Sequence, residues 1–208
     1  MRFALTTLLV LASGEPLSAQ LKRPDSWKVR LDAGQTVPDS TLEYVSMPPG
    51  WHVTTNKHSG IFYDPAWKAS GSYRLHSTIF LFPNSKQEGY GLFLAGRDLD
   101  GAAQSYLYFL LRSDGKYLIK HRDGDKTREL VPWTEDAAIV KQPGGNGDPV
   151  RNVLTVEAKD GTLRFLVNGK QVAAQSSSAA SNGAGQVGLR LNHGINVHVT
   201  DVKVEPLP

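Results

Sequence analysis

The stretch RNVLTVEAKDGTLRFLVNGKQVAA, residues 151–174, alternates apolar and polar residues and is interrupted by two pairs that end in glycine. Asp160-Gly161 and Asn168-Gly169 suit two-residue hairpin turns, because these turns require positive φ angles that glycine, asparagine and aspartate tolerate. Alternation with a period of two indicates strands that bury one face. The stretch therefore predicts three antiparallel strands joined by two tight hairpins.

The same pattern of short apolar runs between glycine-containing turns continues along most of the chain. Turn signals such as DLDG, SDGK, RDGD and SNGAG separate segments rich in β-branched and aromatic residues. No long segment has a 3.6-residue period, so the sequence predicts an all-β sandwich or barrel. The predicted strands cover residues 41–47, 60–64, 73–83, 89–98, 104–112, 116–122, 127–132, 150–159, 162–168, 171–175, 185–192 and 195–205.

In a strand, odd- and even-numbered residues point to opposite faces, and in the segment SYLYFLLR, residues 105–112, both sets are largely apolar. The segment therefore predicts a strand with two apolar faces. Such a strand is typical of the centre of a sheet. One of its faces packs on a second sheet, and the other is covered by loops or lines a groove. The first face carries Leu107, Phe109 and Leu111, and the other carries Tyr106, Tyr108, Leu110 and Arg112.

The last predicted strand changes parity along its length. Val197 and Val199 share one face, whereas Val202 and Val204 fall on the other. A bulge near Thr200-Asp201 returns the later valines to the core, because one extra residue shifts the face.

The first residues have the layout of a secretory signal peptide. Met1-Arg2 gives a positive start, Phe3 to Ala12 form an apolar run, and small residues end at Ala19. The run is too short to cross a bilayer, which takes about 20 residues, so no stable membrane anchor is expected. We expect a secreted or periplasmic protein with a signal peptide at residues 1–19 and a single sandwich domain at residues 20–208.

The charge and cysteine content exclude several classes of function. Positive and negative residues alternate along the chain, so neither the net charge of +3 nor the basic isoelectric point indicates a nucleic-acid partner. The absence of cysteine excludes disulfides, thiolate metal sites and a cysteine nucleophile. The histidines show no paired spacing of the kind that zinc sites use.

Three segments resemble the concanavalin A-like lectin/glucanase sandwiches. VLTVEAKDGTLRFLVNGKQVAA followed by GQVGLRLNHGINVHVTDVKVEP is similar to the ending of those domains, and STIFLFPNSKQEGYGLFLAGRDLDG resembles their middle. The likeness covers residues 40–206 and is greatest to laminin-G-like domains and to bacterial 3-keto-disaccharide hydrolase-like domains. The resemblance implies a two-sheet antiparallel jelly-roll sandwich. It leaves activity open, because this superfamily includes lectins, glycosidases and adhesion modules.

A glycoside hydrolase is one function that the resemblance raises. Glucanases of this superfamily carry an E-x-D-x-x-E or E-x-D-x-E run, which sets two carboxylates about 5–5.5 Å apart for a retaining mechanism. No glutamate of this chain is followed by a second acid two residues later, so the run is absent. Catalysis would then need carboxylates from different strands, and the candidates are Glu88 and Asp98, with Asp100 beside them.

Asp98 and Asp100 in RDLDG also resemble the start of a calcium loop, where oxygen ligands stand at alternate positions. No glutamate closes the loop, and a turn explains the same two residues. Calcium is thus the one cofactor that the sequence leaves open, and no other is expected.

A face with aromatic and basic side chains is the main candidate for binding. Sugar rings stack their C–H patches on aromatic rings, while arginine and lysine donate hydrogen bonds to sugar hydroxyls. The alternative is that the tyrosines pack beneath a loop and the cations protect strand edges. The predicted carbohydrate-binding residues are Arg97, Tyr106, Tyr108, Arg112, Lys120 and Arg122.

The sequence therefore predicts an exported, non-catalytic sandwich that binds carbohydrate on its concave face. Trp51, Trp67 and Trp133 have loop-like surroundings, and exposed rings there would strengthen this hypothesis. One alternative is a glycoside hydrolase acting on keto-disaccharides or polysaccharide. The other is an adhesion or structural module that binds protein through a large exposed apolar patch.

Overall fold

A computed structural model describes residues 23–32, 42–83, 86–177 and 183–208. The predicted signal peptide at residues 1–19 lies outside this part of the chain. Every regular element in the described ranges is a strand, and no helix there could cross a membrane. In chain order the strands are β1 (Lys28–Leu31), β2 (Glu43–Ser46), β3 (Trp51–Thr54), β4 (Gly60–Tyr63), β5 (Lys68–Ala69), β6 (Tyr73–Leu81), β7 (Tyr90–Arg97), β8 (Ser105–Leu111), β9 (Lys116–Asp123), β10 (Lys126–Glu135), β11 (Val150–Lys159), β12 (Thr162–Val167), β13 (Lys170–Ser176), β14 (Gly185–Leu191), β15 (Asn196–Val199) and β16 (Lys203–Pro206).

The strands form two antiparallel sheets of eight strands each. Sheet A has the order β1-β4-β14-β7-β8-β9-β10, with β5 paired to β14. Sheet B has the order β13-β12-β11-β6-β15-β3-β2, with β16 paired to β6. The predicted all-β, two-sheet antiparallel sandwich is confirmed.

The main core lies between the two sheets. Leu107, Phe109 and Leu111 of β8 enter it, as their parity predicts. Phe109 meets Phe165 of sheet B with 5.3 Å between ring centroids, and neither residue is exposed. Each such side chain contributes roughly 1.5–3 kcal/mol through burial of its apolar surface. Strand β8 pairs with β7 on one side and β9 on the other, which makes it a central strand.

The two hairpins of the opening stretch have the predicted geometry. Asp160 and Gly161 have φ angles of +50° and +69°, and Asn168 and Gly169 have +51° and +80°. Positive φ at both central residues matches the twist of the flanking strands. The turns join Lys159 to Thr162 and Val167 to Lys170 within the ladder.

The predicted irregularity near Thr200 is also present. Val199 pairs with Ile79 and Val204 pairs with Leu75, so the later segment has one more residue than the β6 segment opposite it. The extra residue returns Val204 to the side of the main core, against which it packs.

Strands β1, β3 and β5 were not predicted. Each has four residues or fewer, which is too short for alternation to be distinctive. The ring of Trp27, just before β1, lies 5.0 Å from that of Trp51 and 5.3 Å from that of Trp67. Trp51 and Trp67 pack against the main core and are only partly exposed. These two tryptophans therefore act as core residues rather than as open loop platforms.

Candidate functional site

A second apolar cluster covers the outer face of sheet A, which is the face turned away from sheet B. Its members come from β4, β7, β8 and β9, where they face away from the main core, and from Leu99 in the turn after β7. Trp67 and Trp133 pack against its edges. The buried members are Ile61, Tyr63, Phe93, Leu99, Tyr106, Tyr108, Leu110 and Leu118.

Most of the predicted binding residues lie on this outer face. Tyr106 stands opposite Arg122, and Tyr108 stands opposite Lys120 across the β8–β9 ladder. Arg112 follows β8 with the same parity as the two tyrosines. Opposite residues of an antiparallel pair share a face, so the ladder brings these five side chains to one surface.

Arg97 is the exception, and its predicted place is corrected. Leu94 pairs with Leu107, whereas Arg97 pairs with Ser105, so β7 has one extra residue between these pairs. The extra residue lies at a bulge that contains Ala95, whose φ angle is +56°. Because Ser105 has the parity of Leu107, the bulge removes Arg97 from the surface that holds Tyr106 and Tyr108.

The two tyrosines form the floor of the face rather than open platforms. Tyr106 is 1% exposed and Tyr108 is 7% exposed. The guanidinium carbon of Arg190 lies 5.5 Å from the centroid of the Tyr108 ring. Burial raises the pKa of both phenols, and the charge of Arg190 opposes this rise. The structure therefore does not present these rings as open stacking surfaces for a sugar.

Arg190, Asp32 and Arg122 form a partly buried charge cluster beside the tyrosines. Arg190 donates from Nη1 and Nη2 to the two oxygens of Asp32, each at 2.6 Å. Nη2 of Arg122 lies 3.5 Å from Oδ1 of Asp32. The Arg190 side chain is 7% exposed and that of Arg122 is 12% exposed, whereas Asp32 is 33% exposed. One carboxylate thus faces two guanidinium groups.

The sequence did not reveal Arg190 or Asp32 as site residues. Arg190 alternates with Leu189 and Leu191, so parity alone places it on the outer face. Its contact with Tyr108 also requires β14 to lie next to β7 in sheet A. Alternation along a single strand does not indicate which strand lies beside it.

We expect Asp32→Asn to lower the free energy of unfolding by about 2 kcal/mol, because it leaves two buried guanidinium groups without a carboxylate. The expected loss is smaller than for a fully buried pair, since a third of Asp32 is exposed. Urea unfolding followed by tryptophan fluorescence measures the change.

Glu157→Gln is the matched control for this variant, because it removes a carboxylate that pairs with the half-exposed Arg74 on sheet B. Its expected effect is below about 1 kcal/mol. Equal losses in the two variants would show that the Asp32 cluster contributes no more than an ordinary surface pair.

A more open group of side chains lies at the rim of the same face, and we call it the rim site. It consists of Trp133, Arg112, Glu88, Asn192 and His193. The guanidinium carbon of Arg112 lies 4.7 Å from the centroid of the half-buried Trp133 ring. Asn192 donates to Oε2 of Glu88 at 3.2 Å, and Nε2 of His193 lies 3.2 Å from Oε1 of the same carboxylate. The rim site therefore combines an aromatic ring with donors and acceptors.

Gly89 brings the two halves of the rim site together. A Cβ atom at this position would stand 3.2 Å from Cη2 of Trp133 and 3.3 Å from Nδ2 of Asn192. The ring edge and the amide are thus neighbours across a residue without a side chain. Arg112 also donates from Nε and Nη2 to Asp114 at 2.8 and 2.6 Å, which fixes the guanidinium beside the ring.

Glu88 and Asp98 do not form the carboxylate pair that a glycosidase needs. They stand just outside opposite ends of β7, whose bounds are Tyr90–Arg97. A strand rises about 3.3 Å per residue, so the two residues are roughly 30 Å apart. Glycosidase carboxylates stand at most about 9.5 Å apart. Glu88 and Asp98 therefore do not form one catalytic pair, and each remains a single candidate that would need another carboxylate.

Asp98 and Asp100 belong to a turn. Asp98 has a φ angle of +47°, and its carbonyl accepts from Gly101 at 2.9 Å. Asp100 accepts from Nζ of Lys28 at 2.8 Å and from the hydroxyl of Tyr63 at 3.1 Å. These contacts lower the pKa of Asp100, with the Lys28 hydrogen bond as the main cause. In the described ranges, no group of three or more His, Asp or Glu side chains could hold a metal ion.

Comparison with known proteins identifies the fold. No protein-family model matches the sequence, and no curated protein matches it. Among solved structures, carbohydrate-binding module CBM66 from Bacillus subtilis matches with a TM-score of 0.61 at 10% identity, over 86% of this chain and 95% of that one. A GH16 protein of the Bacteroides ovatus mixed-linkage glucan locus, in complex with G4G4G3G product, matches with a TM-score of 0.61 at 10% identity, over 89% and 97% of the two chains.

A third structure, a Bacillus subtilis protein of unknown function with a galectin-like fold, matches with a TM-score of 0.56 at 12% identity. The match covers 86% of this chain and 88% of that one. At such low identity the likeness concerns the fold alone. This chain has the concanavalin A-like jelly-roll sandwich fold that its sequence resemblance implied.

Proposed function

We propose that the protein is an exported, non-catalytic sandwich that binds carbohydrate on the outer face of sheet A. The observation that carries the proposal is the rim site, where the half-buried ring of Trp133 stands beside Arg112, Asn192 and Glu88. The similar structures include a carbohydrate-binding module and a glucan-complexed GH16 protein, which supports the same class of ligand. The N-terminal signal-like segment supports export.

The chemistry of the rim site suits a sugar ring. An aromatic ring offers a flat apolar surface to the C–H side of a pyranose, and its edge leaves the hydroxyls free to bond elsewhere. The Glu88 carboxylate accepts from hydroxyls, and the Arg112 guanidinium donates to them. Oδ1 of Asn192 is buried and has no hydrogen-bond partner among the described residues, so it would accept from a hydroxyl that reaches it.

We expect Trp133→Ala to weaken saccharide binding at least about tenfold, because it removes the stacking surface and lets the Arg112 guanidinium move. A glycan array finds the ligand, and isothermal titration calorimetry with the best saccharide then measures the loss in affinity.

Trp51→Ala is the matched control, since Trp51 is also a partly exposed tryptophan but packs on the main core. It should retain binding wherever the variant remains folded. Equal losses in both variants would place the saccharide elsewhere. Product analysis with the wild-type protein tests the hydrolase alternative, and sugar release that disappears in Glu88→Gln would replace our proposal with that one.

The adhesion alternative receives less support. In the described ranges, the exposed large hydrophobic residues are Met47 and Val140, each 48% exposed. Met47 follows β2, whereas Val140 precedes β11, so they belong to different loops. Single exposed apolar residues are ordinary on protein surfaces and do not form a docking patch.

A further inference from the structure

The outer face of sheet A contains more cationic than anionic groups where it is most buried. The Asp32 carboxylate is shared by Arg190 at 2.6 Å and Arg122 at 3.5 Å. In the described part of the chain, no second carboxylate pairs with either guanidinium. Since arginine stays protonated at all ordinary pH values, this cluster keeps an excess positive charge.

One buried polar atom of the same cluster lacks a partner among the described residues. Nε of Arg190 is buried without a hydrogen bond within the described residues. Nη1 of Arg122 donates to the carbonyl of Gly124 over a long 3.4 Å, and the Arg122 side chain also hydrogen-bonds with Tyr106. Burial alone lowers the pKa of Arg190, but the bonds to Asp32 and the nearby phenols outweigh it and leave the pKa raised. Burying excess positive charge and a donor without an acceptor raises the free energy of the folded state. An anion bound beside the arginines would lower that free energy.

A second pair of cations lies elsewhere on the same face. Lys28 and Arg30 stand opposite Tyr63 and Ile61 on the same face. Both act on Asp100, with Lys28 in direct contact at 2.8 Å, while Nη1 of Arg30 donates to the carbonyl of Leu99. Nε of Arg30 is buried without a partner in the described ranges. Lys28 and Arg30 therefore both act on the Asp100 carboxylate, while Asp98 lines the same hollow as Lys28 and Asp100.

The charge cluster lies within reach of a saccharide held at the rim site. Arg190 and Asn192 are two residues apart with the same parity, which corresponds to about 7 Å along a strand. The cluster opens to solvent at Asp32, whose side chain is 33% exposed, and Lys120 on the same face is 28% exposed and pairs with Glu129. A carboxylate is planar and accepts two parallel bonds from a guanidinium. Both Nη atoms of Arg190 already bind Asp32, so Arg122 is the guanidinium of the cluster that a second carboxylate would bind.

We propose that the saccharide bound on this face is acidic, and that a uronate carboxylate binds at the Arg122–Arg190 cluster. This inference rests on the proposed carbohydrate-binding function and names its ligand class. The neutral part of the sugar lies on the rim site, and the carboxylate supplies the negative charge that Asp32 alone does not.

The test compares uronic-acid oligosaccharides with their methyl esters, which keep the same ring and linkage but lack the charge. Oligomers of galacturonate, glucuronate and mannuronate and their esters are titrated into the full protein by calorimetry. We expect at least one acid to bind about tenfold more tightly than its ester. The preference should shrink between about 50 mM and about 300 mM salt, because ions screen the charges.

Arg122→Gln should abolish the preference for the acid over its ester, whereas Arg122→Lys should retain part of the preference. Arg151→Gln, which removes an exposed arginine from β11 of sheet B, should change neither affinity. Circular dichroism confirms that each variant is folded.

The outcomes separate the two proposals. If esters or neutral sugars bind as tightly as the acids, and Trp133→Ala weakens them, the charge inference is overturned and the carbohydrate-binding function stands. If no saccharide binds to the wild-type protein, both proposals fail. An acid preference that survives in Arg122→Gln places the carboxylate elsewhere and also overturns the inference.

Discussion

Asn152→Leu is expected to lower the free energy of unfolding by about 4 kcal/mol, because Asn152 makes four hydrogen bonds in a place that water does not reach. Its Oδ1 accepts from the backbone of Val140 and from Nδ2 of Asn168, each at 2.9 Å. Its Nδ2 donates to the hydroxyl of Tyr90 at 3.2 Å and to the carbonyl of Val140 at 3.0 Å. Leucine is of similar size but leaves these groups without their partner.

This network connects three parts of the sandwich. Tyr90 begins β7 of sheet A, Asn152 belongs to β11 of sheet B, and Val140 lies in the loop before β11. Asn168, in the second predicted hairpin turn, also donates to the carbonyl of Ala138 and accepts from the backbone of Val153, each at 2.8 Å. Loss of Asn152 therefore affects both sheets and the loop together.

Urea unfolding measures the change, and Tyr90→Phe is the matched partner variant. Removal of the Tyr90 hydroxyl alone should lower the stability by about 1 kcal/mol, since Asn152 keeps its other partners. The double variant should be less destabilised than the sum of the single changes. A loss below about 1 kcal/mol in Asn152→Leu would contradict the importance that we give to this network.

Tyr108→Ala is expected to lower the free energy of unfolding by about 3 kcal/mol, because it opens a cavity in the second apolar cluster. Tyr108 is 7% exposed, and Arg190 lies over its ring. Tyr108→Phe keeps the ring and should change the stability by less than about 1 kcal/mol. Urea unfolding of the two variants gives the comparison.

Phe80→Ala provides a control from the outer face of sheet B, where Phe80 is only partly buried. A smaller loss there would confirm that the outer face of sheet A behaves as a second core. If Tyr108→Ala is as stable as the wild-type protein, the cluster contributes little to folding. Because of the expected destabilisation, a loss of glycan binding in Tyr108→Ala has two explanations, and Trp133→Ala is the better test of binding.

The candidate site shows which features alternation along strands could predict and which it could not. Parity and adjacency predicted that Tyr106, Tyr108, Lys120 and Arg122 share a surface, because β8 and β9 are joined by a short turn. Parity failed for Arg97, since the bulge at Ala95 depends on a positive φ angle that the sequence does not mark with glycine or asparagine. It also gave no measure of burial, so the sequence left open whether Tyr108 is covered or exposed, and the structure shows it covered.

The resemblance to a known superfamily implied the two-sheet class of the fold, and the sequence pattern by itself determined the hairpins, the bulge after Val199 and the central position of β8. These features depend on glycine at turns and on alternation along single strands, which are local properties of the chain. The tertiary structure alone decided that β14 lies between β4 and β7, that Arg190 covers Tyr108 and that Asp32 joins Arg190 to Arg122. Which distant strands pair depends on how their side chains pack into the core and on their register. Several apolar strands of this chain have similar patterns, so the sequence does not show which of them are neighbours.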